Sequence, residues 1–141
     1  MYEDYTRQSL PKREYRELLG SAICVFNANN AFIIENILMN DIDNDYSWYK
    51  LINCESGRLN APVLETITRA SNNDIASLFD EIVKKRNRIV HSFQITDESN
   101  EQILCTKDKQ HNQYIISEEF LIDFIKQNEE LSILLHEFRG Y

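Results

Sequence analysis

The clearest pattern of apolar and polar positions in the chain runs from Asn73 to Phe93. Its apolar residues recur every three or four positions, which is the spacing of a helix packed along one stripe. They are Ile75, Leu78, Phe79, Ile82, Ile89, Val90 and Phe93. Arg86 stands on this stripe where leucine would continue the pattern. Because burial of an unpaired guanidinium is costly, we expect Arg86 to reach a cleft, a carboxylate or a phosphate.

Similar spacing elsewhere predicts a mainly helical protein. Further helices are predicted at 11–39, 48–54, 60–70 and 117–140. Two short β-prone runs, 102–106 and 113–116, flank a polar and partly basic tip, which predicts a β-hairpin. The expected fold class is therefore all-α, a bundle of four or five helices with a small β-hairpin before the last helix. The length of 141 residues favours a single domain, 1–141.

Positive charge is concentrated on the central helix, although the chain as a whole is acidic. A formal net charge of −8 argues against a general nucleic-acid coat protein, which needs a broadly basic surface. Lys84, Lys85, Arg86 and Arg88 nevertheless lie together with no acid between them. Such a local site suits one specific anionic ligand, so Lys84, Lys85 and Arg88 are candidate substrate-binding residues. For the two lysines, a solvated helix end that favours the helix dipole is the preferred alternative.

Asn30 is a polar residue on the apolar stripe of the first helix, with Asn29 on the edge of that stripe. A polar side chain in this position either bonds to a buried partner or faces a cleft. A satisfied core amide is the favoured interpretation. If the first and central helices pair, Asn30 is instead a candidate substrate-binding neighbour of Arg86.

The end of the central helix carries a motif, Arg86-Asn87-Arg88-Ile89-Val90-His91. Here the chain resembles the HEPN superfamily, whose hallmark is Arg-x4-6-His, often with a polar residue such as Asn directly after the arginine. In this sequence the hallmark is Arg86, Asn87 and His91. The resemblance implies a HEPN-like helical domain, and the hairpin is a departure from the simplest HEPN pattern.

Many HEPN proteins are metal-independent endoribonucleases, and the resemblance implies this activity here, in a toxin, defence or stress role. RNA supplies its own nucleophile, the 2′-hydroxyl, so the protein need only move protons and stabilise charge. A histidine such as His91 can exchange those protons, and Arg86 can hold the scissile phosphate. Asn87 can orient the imidazole or bond a phosphate oxygen. The expected products carry a 2′,3′-cyclic phosphate and a 5′-hydroxyl.

The helical spacing of the motif raises a difficulty. Five residues turn about 140° on an ideal helix, so Arg86 and His91 do not share a face. The resemblance implies that two copies pack these helices together and form a composite cleft. We therefore predict a homodimer through the helix that carries Arg86 and His91. The other expected partners are RNA and an antitoxin protein, such as the nucleotidyltransferase-like antitoxins of some HEPN proteins.

Other interpretations of the motif stay open. His91 near a helix end can simply stabilise the helix dipole, and Arg86 can form a structural ion pair with an acid such as Glu35 or Glu81. A second functional hypothesis is a non-catalytic HEPN-type binding module for a nucleotide, RNA or protein partner. A third is a helical domain whose motif is accidental.

The remaining sequence features concern compartment and cofactors. Cys24, Cys54 and Cys105 have no paired spacing, and we interpret them as reduced core residues of a cytoplasmic protein. No signal peptide and no apolar run long enough to span a bilayer is recognised, so no membrane partner is expected. The three histidines are far apart and lack neighbouring ligands, so no metal and no cofactor is expected.

Overall fold

The described part of this computed structural model, residues 1–140, contains five α-helices and three β-strands. A 3₁₀ turn (Ser56–Leu59) and a π-helical turn (Leu64–Thr68) flank the third helix. In chain order the elements are α1 (Arg13–Met39), α2 (Trp48–Asn53), α3 (Asn60–Val63), α4 (Asp74–Val90), β1 (Phe93–Thr96), β2 (Gln102–Lys107), β3 (Gln113–Ile115) and α5 (Glu118–Arg139).

The best-defined helix ends are those of α5. The Ser117 hydroxyl accepts a hydrogen bond from the Phe120 backbone N–H at 3.0 Å and so caps the first turn. Two glutamates follow in that turn, where the helix dipole favours negative charge. Gly140 ends the helix with a φ of 88°, a left-handed conformation that glycine adopts without a steric penalty. These boundaries confirm the predicted last helix.

The hydrophobic core lies where α1, α4 and α5 meet. α1 packs along α5, and α4 packs against α5 and the segment around α3. At the centre, the Phe26 ring of α1 lies between Phe79 of α4 and Phe124 of α5, with ring centroids 6.5 Å and 6.3 Å away. All three rings are buried. Phe26 is therefore a fixed surface against which other side chains can pack.

The predicted all-α class is wrong. The fold is mixed, with 62% of residues in helices and 11% in strands, and the strands form a three-stranded antiparallel sheet in the order β1-β2-β3. The predicted hairpin corresponds to β2 and β3. The extra strand begins at Phe93, which the apolar pattern had assigned to the central helix. Phe93 pairs with Cys105 instead, because the run Phe-Gln-Ile-Thr has strand propensity and β2 offers it a free edge.

The hydroxyl of Tyr15 links this sheet to the helices by hydrogen bonds. The Tyr15 hydroxyl of α1 donates to the Ile116 carbonyl at 2.6 Å and accepts from the Leu104 N–H at 3.3 Å. Burial raises the pKa of Tyr15, so its hydroxyl stays protonated and able to donate. The sheet is thereby held against the start of α1, and β1 follows directly after the end of α4.

Two smaller expectations also need correction. Among the described residues, α1 is long and apolar enough to cross a membrane by length and composition alone, a test that core helices also pass. Here α1 packs in the core against α5. All three cysteines are free, but Cys24 is exposed and Cys54 half-buried, so only Cys105 is a buried core residue.

Candidate functional site

Arg86 lies in the seam between α4 and α1. Its guanidinium carbon is 5.2 Å from the centroid of the Phe26 ring, which is a cation–π contact. The side chain is half-buried, and its Nε is fully buried without a hydrogen-bond partner. Nε is the one guanidinium nitrogen that solvent does not reach. The two terminal nitrogens form no hydrogen bond with residues 1–140. The charged end of Arg86 is therefore positioned by Phe26 and open to an anion.

Neither acid considered as an ion-pair partner for Arg86 has that role. Glu35 lies 3.8 Å from the guanidinium of Arg139, and Glu81 accepts a hydrogen bond from Gln127 at 3.2 Å. In residues 1–140 no carboxylate lies within ion-pairing distance of Arg86. The structural ion pair is thus absent from the described chain.

His91 and Asn87 occupy the outer end of α4. His91 is the exposed residue that follows the last turn, and its backbone N–H donates to the Asn87 carbonyl at 3.0 Å. Asn87 is half-buried. No side-chain hydrogen bond joins Arg86, Asn87 and His91 in the part of the chain that the structure describes, and His91 lies about 7.5 Å further along the helix axis than Arg86. One protomer therefore does not bring the guanidinium and the imidazole together.

The three basic candidates near Arg86 have different surroundings. Lys84 is exposed and pairs with Asp80 one turn earlier, at 3.0 Å. Lys85 is half-buried and donates from Nζ to Gln127 of α5 at 2.7 Å. Arg88 is exposed and forms no ion pair within residues 1–140. The two lysines thus have partners within the chain, whereas Arg88 is available to a ligand.

Asn30 is half-buried, and its Oδ1 accepts a hydrogen bond from the Ser56 hydroxyl at 2.9 Å. It lies one turn after Phe26 on α1, but the described chain contains no hydrogen bond between Asn30 and Arg86. Its neighbour Asn29 is the more buried amide and donates to the Asn128 carbonyl at 2.7 Å. Both asparagines therefore have a hydrogen-bond partner within the protein.

A cleft that the sequence did not reveal lies beside Arg88, at the turn between β2 and β3. Its volume is about 490 Å³. Only the partly basic composition of the turn could have indicated it. The cleft is lined by Arg88, Thr106, Lys107, Asp108, Lys109, His111 and Tyr114.

Asp108, the acid that lines this cleft, accepts hydrogen bonds from other residues of the turn. Asp108 accepts hydrogen bonds from the backbone N–H groups of Gln110 and Asn112, both at 2.9 Å. Its other oxygen accepts from the Asn112 amide at 3.1 Å and the Tyr114 hydroxyl at 3.2 Å. Partial burial raises the pKa of Asp108, but these hydrogen bonds outweigh it and the pKa lies below its usual value. The carboxylate therefore stays ionised, and it forms no ion pair with a cation of the cleft within residues 1–140.

Residues 1–140 contain no group of three histidine, cysteine, aspartate or glutamate side chains placed to hold a metal ion. No protein-family model matches the chain, and comparison with curated proteins and with solved structures gives no significant match.

Proposed function

We propose that the protein is a metal-independent endoribonuclease of the HEPN type, acting as a homodimer with a composite site. The observation that supports this most strongly is the state of Arg86. Its guanidinium rests on Phe26 at 5.2 Å, has no carboxylate partner in residues 1–140, and leaves its terminal nitrogens without hydrogen bonds. A cation fixed in this way is suited to a phosphate, because an anion would supply the missing hydrogen bonds.

In the proposed reaction, His91 accepts the proton of an RNA 2′-hydroxyl, and the resulting oxygen attacks the adjacent phosphorus. The bond from phosphorus to the 5′-oxygen breaks, and that oxygen takes a proton from solvent or from a second imidazole. Arg86 stabilises the negative charge that grows on the phosphate oxygens, and Asn87 orients the imidazole. The products carry a 2′,3′-cyclic phosphate and a 5′-hydroxyl.

A second copy of the chain is required because the two residues are separated within one protomer. Lys84, Asn87 and His91 follow one another at helical spacing along the outer surface of α4, whereas Arg86 points into the seam with α1. If two α4 helices pack antiparallel about a two-fold axis that crosses them between residues 86 and 91, His91 of one copy lies beside Arg86 of the other. In the proposed dimer, each site therefore combines Arg86 of one copy with His91 of the other.

Mixing two inactive variants tests this arrangement. Arg86→Leu and His91→Ala should each abolish RNA cleavage in chelator. When the two are mixed and allowed to exchange subunits, about half of the dimers are mixed, and each mixed dimer has one intact site. Activity should then recover to about a quarter of the wild-type value. A mixture that stays inactive excludes the composite site, and variants that cleave like wild type exclude this catalytic mechanism.

The separation of Arg86 and His91 also favours a second candidate, a binding module without catalysis. In that case an anionic ligand binds at Arg86, the affinity falls with salt, and Arg86→Leu abolishes binding. His91→Ala would leave that binding unchanged. No RNA product would form under any condition.

A further inference from the structure

The turn that forms the wall of the 490 Å³ cleft is built in the same way as the other turn of the sheet. In both, an aspartate N–H donates to a carbonyl four residues later: Asp97 to Glu101 at 2.8 Å and Asp108 to Asn112 at 3.0 Å. In both, the aspartate Oδ1 accepts two backbone N–H groups at 2.9 Å. The two turns thus provide an internal comparison in which the backbone is alike and the side chains differ.

The comparison shows that basic residues are specific to the turn at the cleft. The residue that must adopt a positive φ is Asn100 in the first turn, at 63°, and His111 in the second, at 69°. Asparagine tolerates this conformation better than histidine does. The first turn carries glutamates around this position, while the second carries Lys107 and Lys109. The backbone geometry of the turn therefore does not explain why its residues are basic. Binding of an anionic ligand would explain it.

The cations of the cleft are not ion-paired and outnumber its acid by three to one. None of Arg88, Lys107 and Lys109 forms an ion pair with any residue in 1–140. Asp108 is the one acid that lines the cleft, and its oxygens are bound by the turn and by Tyr114. On a chain with a net charge of −8, this is a local positive surface that concentrates anions.

An exposed aromatic ring lies next to these cations. Tyr114 is 54% exposed, and its hydroxyl is bound to Asp108, which limits how far the ring can move. A positive groove beside a positioned aromatic ring is the arrangement that proteins use for single-stranded nucleic acid, because lysine and arginine hold the phosphates and a base stacks on the ring. Paired bases in a duplex cannot stack in this way.

We propose that this cleft binds the single-stranded RNA that flanks the cleaved bond. This proposal rests on the proposed ribonuclease function, and it names the substrate as unpaired RNA. Arg88 connects the cleft with the proposed catalytic site. It lines the cleft and lies three residues before His91, one helical turn away. Lys107, Lys109 and Arg88 contact backbone phosphates, and a base stacks on Tyr114.

Binding can be measured separately from cleavage with a fluorescent 2′-O-methyl RNA of mixed sequence, which has no free 2′-hydroxyl to attack. Fluorescence anisotropy in chelator gives its affinity over a range of salt concentrations. Replacing both lysines, Lys107→Gln with Lys109→Gln, should weaken binding about tenfold and reduce the salt slope by about 1.4, that is about 0.7 for each lost phosphate contact. Tyr114→Leu should weaken binding with an unchanged salt slope, because it removes stacking and no charge.

A matched control changes the net charge equally outside the cleft. Lys50 and Arg58 are exposed, and neither lines the cleft. Lys50→Gln with Arg58→Gln should leave the affinity within about twofold of wild type, because distant charges are screened. Three results would each overturn the proposal. The two double variants could lose the same affinity, or the wild type could fail to bind the RNA. The third is equal affinity for a duplex of the same sequence.

The same proteins separate this proposal from the proposed catalysis. In one outcome, RNA binding depends on the cleft and unmodified RNA stays intact. This outcome supports the RNA-binding cleft and excludes the nuclease. In the opposite outcome, RNA cleavage depends on Arg86 and His91, and the lysine double variant keeps its affinity for RNA. This outcome supports the nuclease and excludes RNA binding by the cleft.

Discussion

Replacing Arg86 by leucine should make the protein more stable and at the same time inactive. The change removes the cation–π contact with Phe26 at 5.2 Å, which contributes about 1 kcal/mol for a half-buried pair. It also removes the buried Nε that has no hydrogen-bond partner, a group that costs about 1–3 kcal/mol. Leucine adds apolar contact in the seam, worth about 1 kcal/mol. The sum predicts a stabilisation of about 1–3 kcal/mol.

For a chain of this length, that stabilisation corresponds to a rise in Tm of about 3–9 °C. Thermal and urea unfolding measure the change, and RNA cleavage and RNA binding are measured on the same preparation. A double-mutant cycle with Phe26→Leu isolates the contact between the two side chains, which should give a coupling energy of about 1 kcal/mol. Stabilisation together with lost activity is the pattern of a residue kept for function.

The chain offers a matched control in Arg139, whose guanidinium carbon lies 5.8 Å from the centroid of the Phe32 ring on the same helix α1. Arg139 also lies 3.8 Å from Glu35, so Arg139→Leu removes a favourable ion pair and should lower Tm slightly. RNA cleavage should not change. If Arg86→Leu instead destabilises the fold by more than about 2 kcal/mol, or leaves RNA cleavage and binding intact, the reasoning about an anion at this residue is refuted.

Two further predictions concern other parts of the chain. Hydrogen bonds from Arg13 and Arg16 lower the pKa of Glu3 from 4.5 to about 2. Since the folded-state pKa lies below the unfolded value, the stabilisation is present above about pH 4.5 and is lost as the pH falls towards 2. Glu3→Gln should therefore lower the urea midpoint at neutral pH and have no effect near pH 2, and equal effects at both would contradict the assignment. In the sheet turns, His111→Asn should raise Tm and Asn100→His should lower it, because asparagine tolerates positive φ better. Opposite signs in thermal unfolding would contradict this.

The long helices could be predicted from the sequence because their signals are local. α1 ends at Met39 as expected, and α5 has the predicted serine cap and terminal glycine. The third strand could not be predicted in this way. Phe93 continues the helical spacing of α4 by chance, and its strand conformation depends on pairing with Cys105, a contact made twelve residues away.

For the candidate site, the sequence identified which residue is unusual but not its surroundings. Arg86 was recognisable as a charge on an apolar stripe, but that it rests on Phe26, sixty residues earlier, follows from helix packing. The cleft beside Arg88 brings together two segments about twenty residues apart. The spacing of the motif predicts that one protomer keeps the guanidinium and the imidazole apart.

The two hydrogen bonds of Tyr15 connect the first helix to β2 and to the residue that follows β3. Any displacement of the sheet relative to α1 must lengthen at least one of these two hydrogen bonds. The position of the sheet is therefore set in part by a residue near the beginning of the helical bundle.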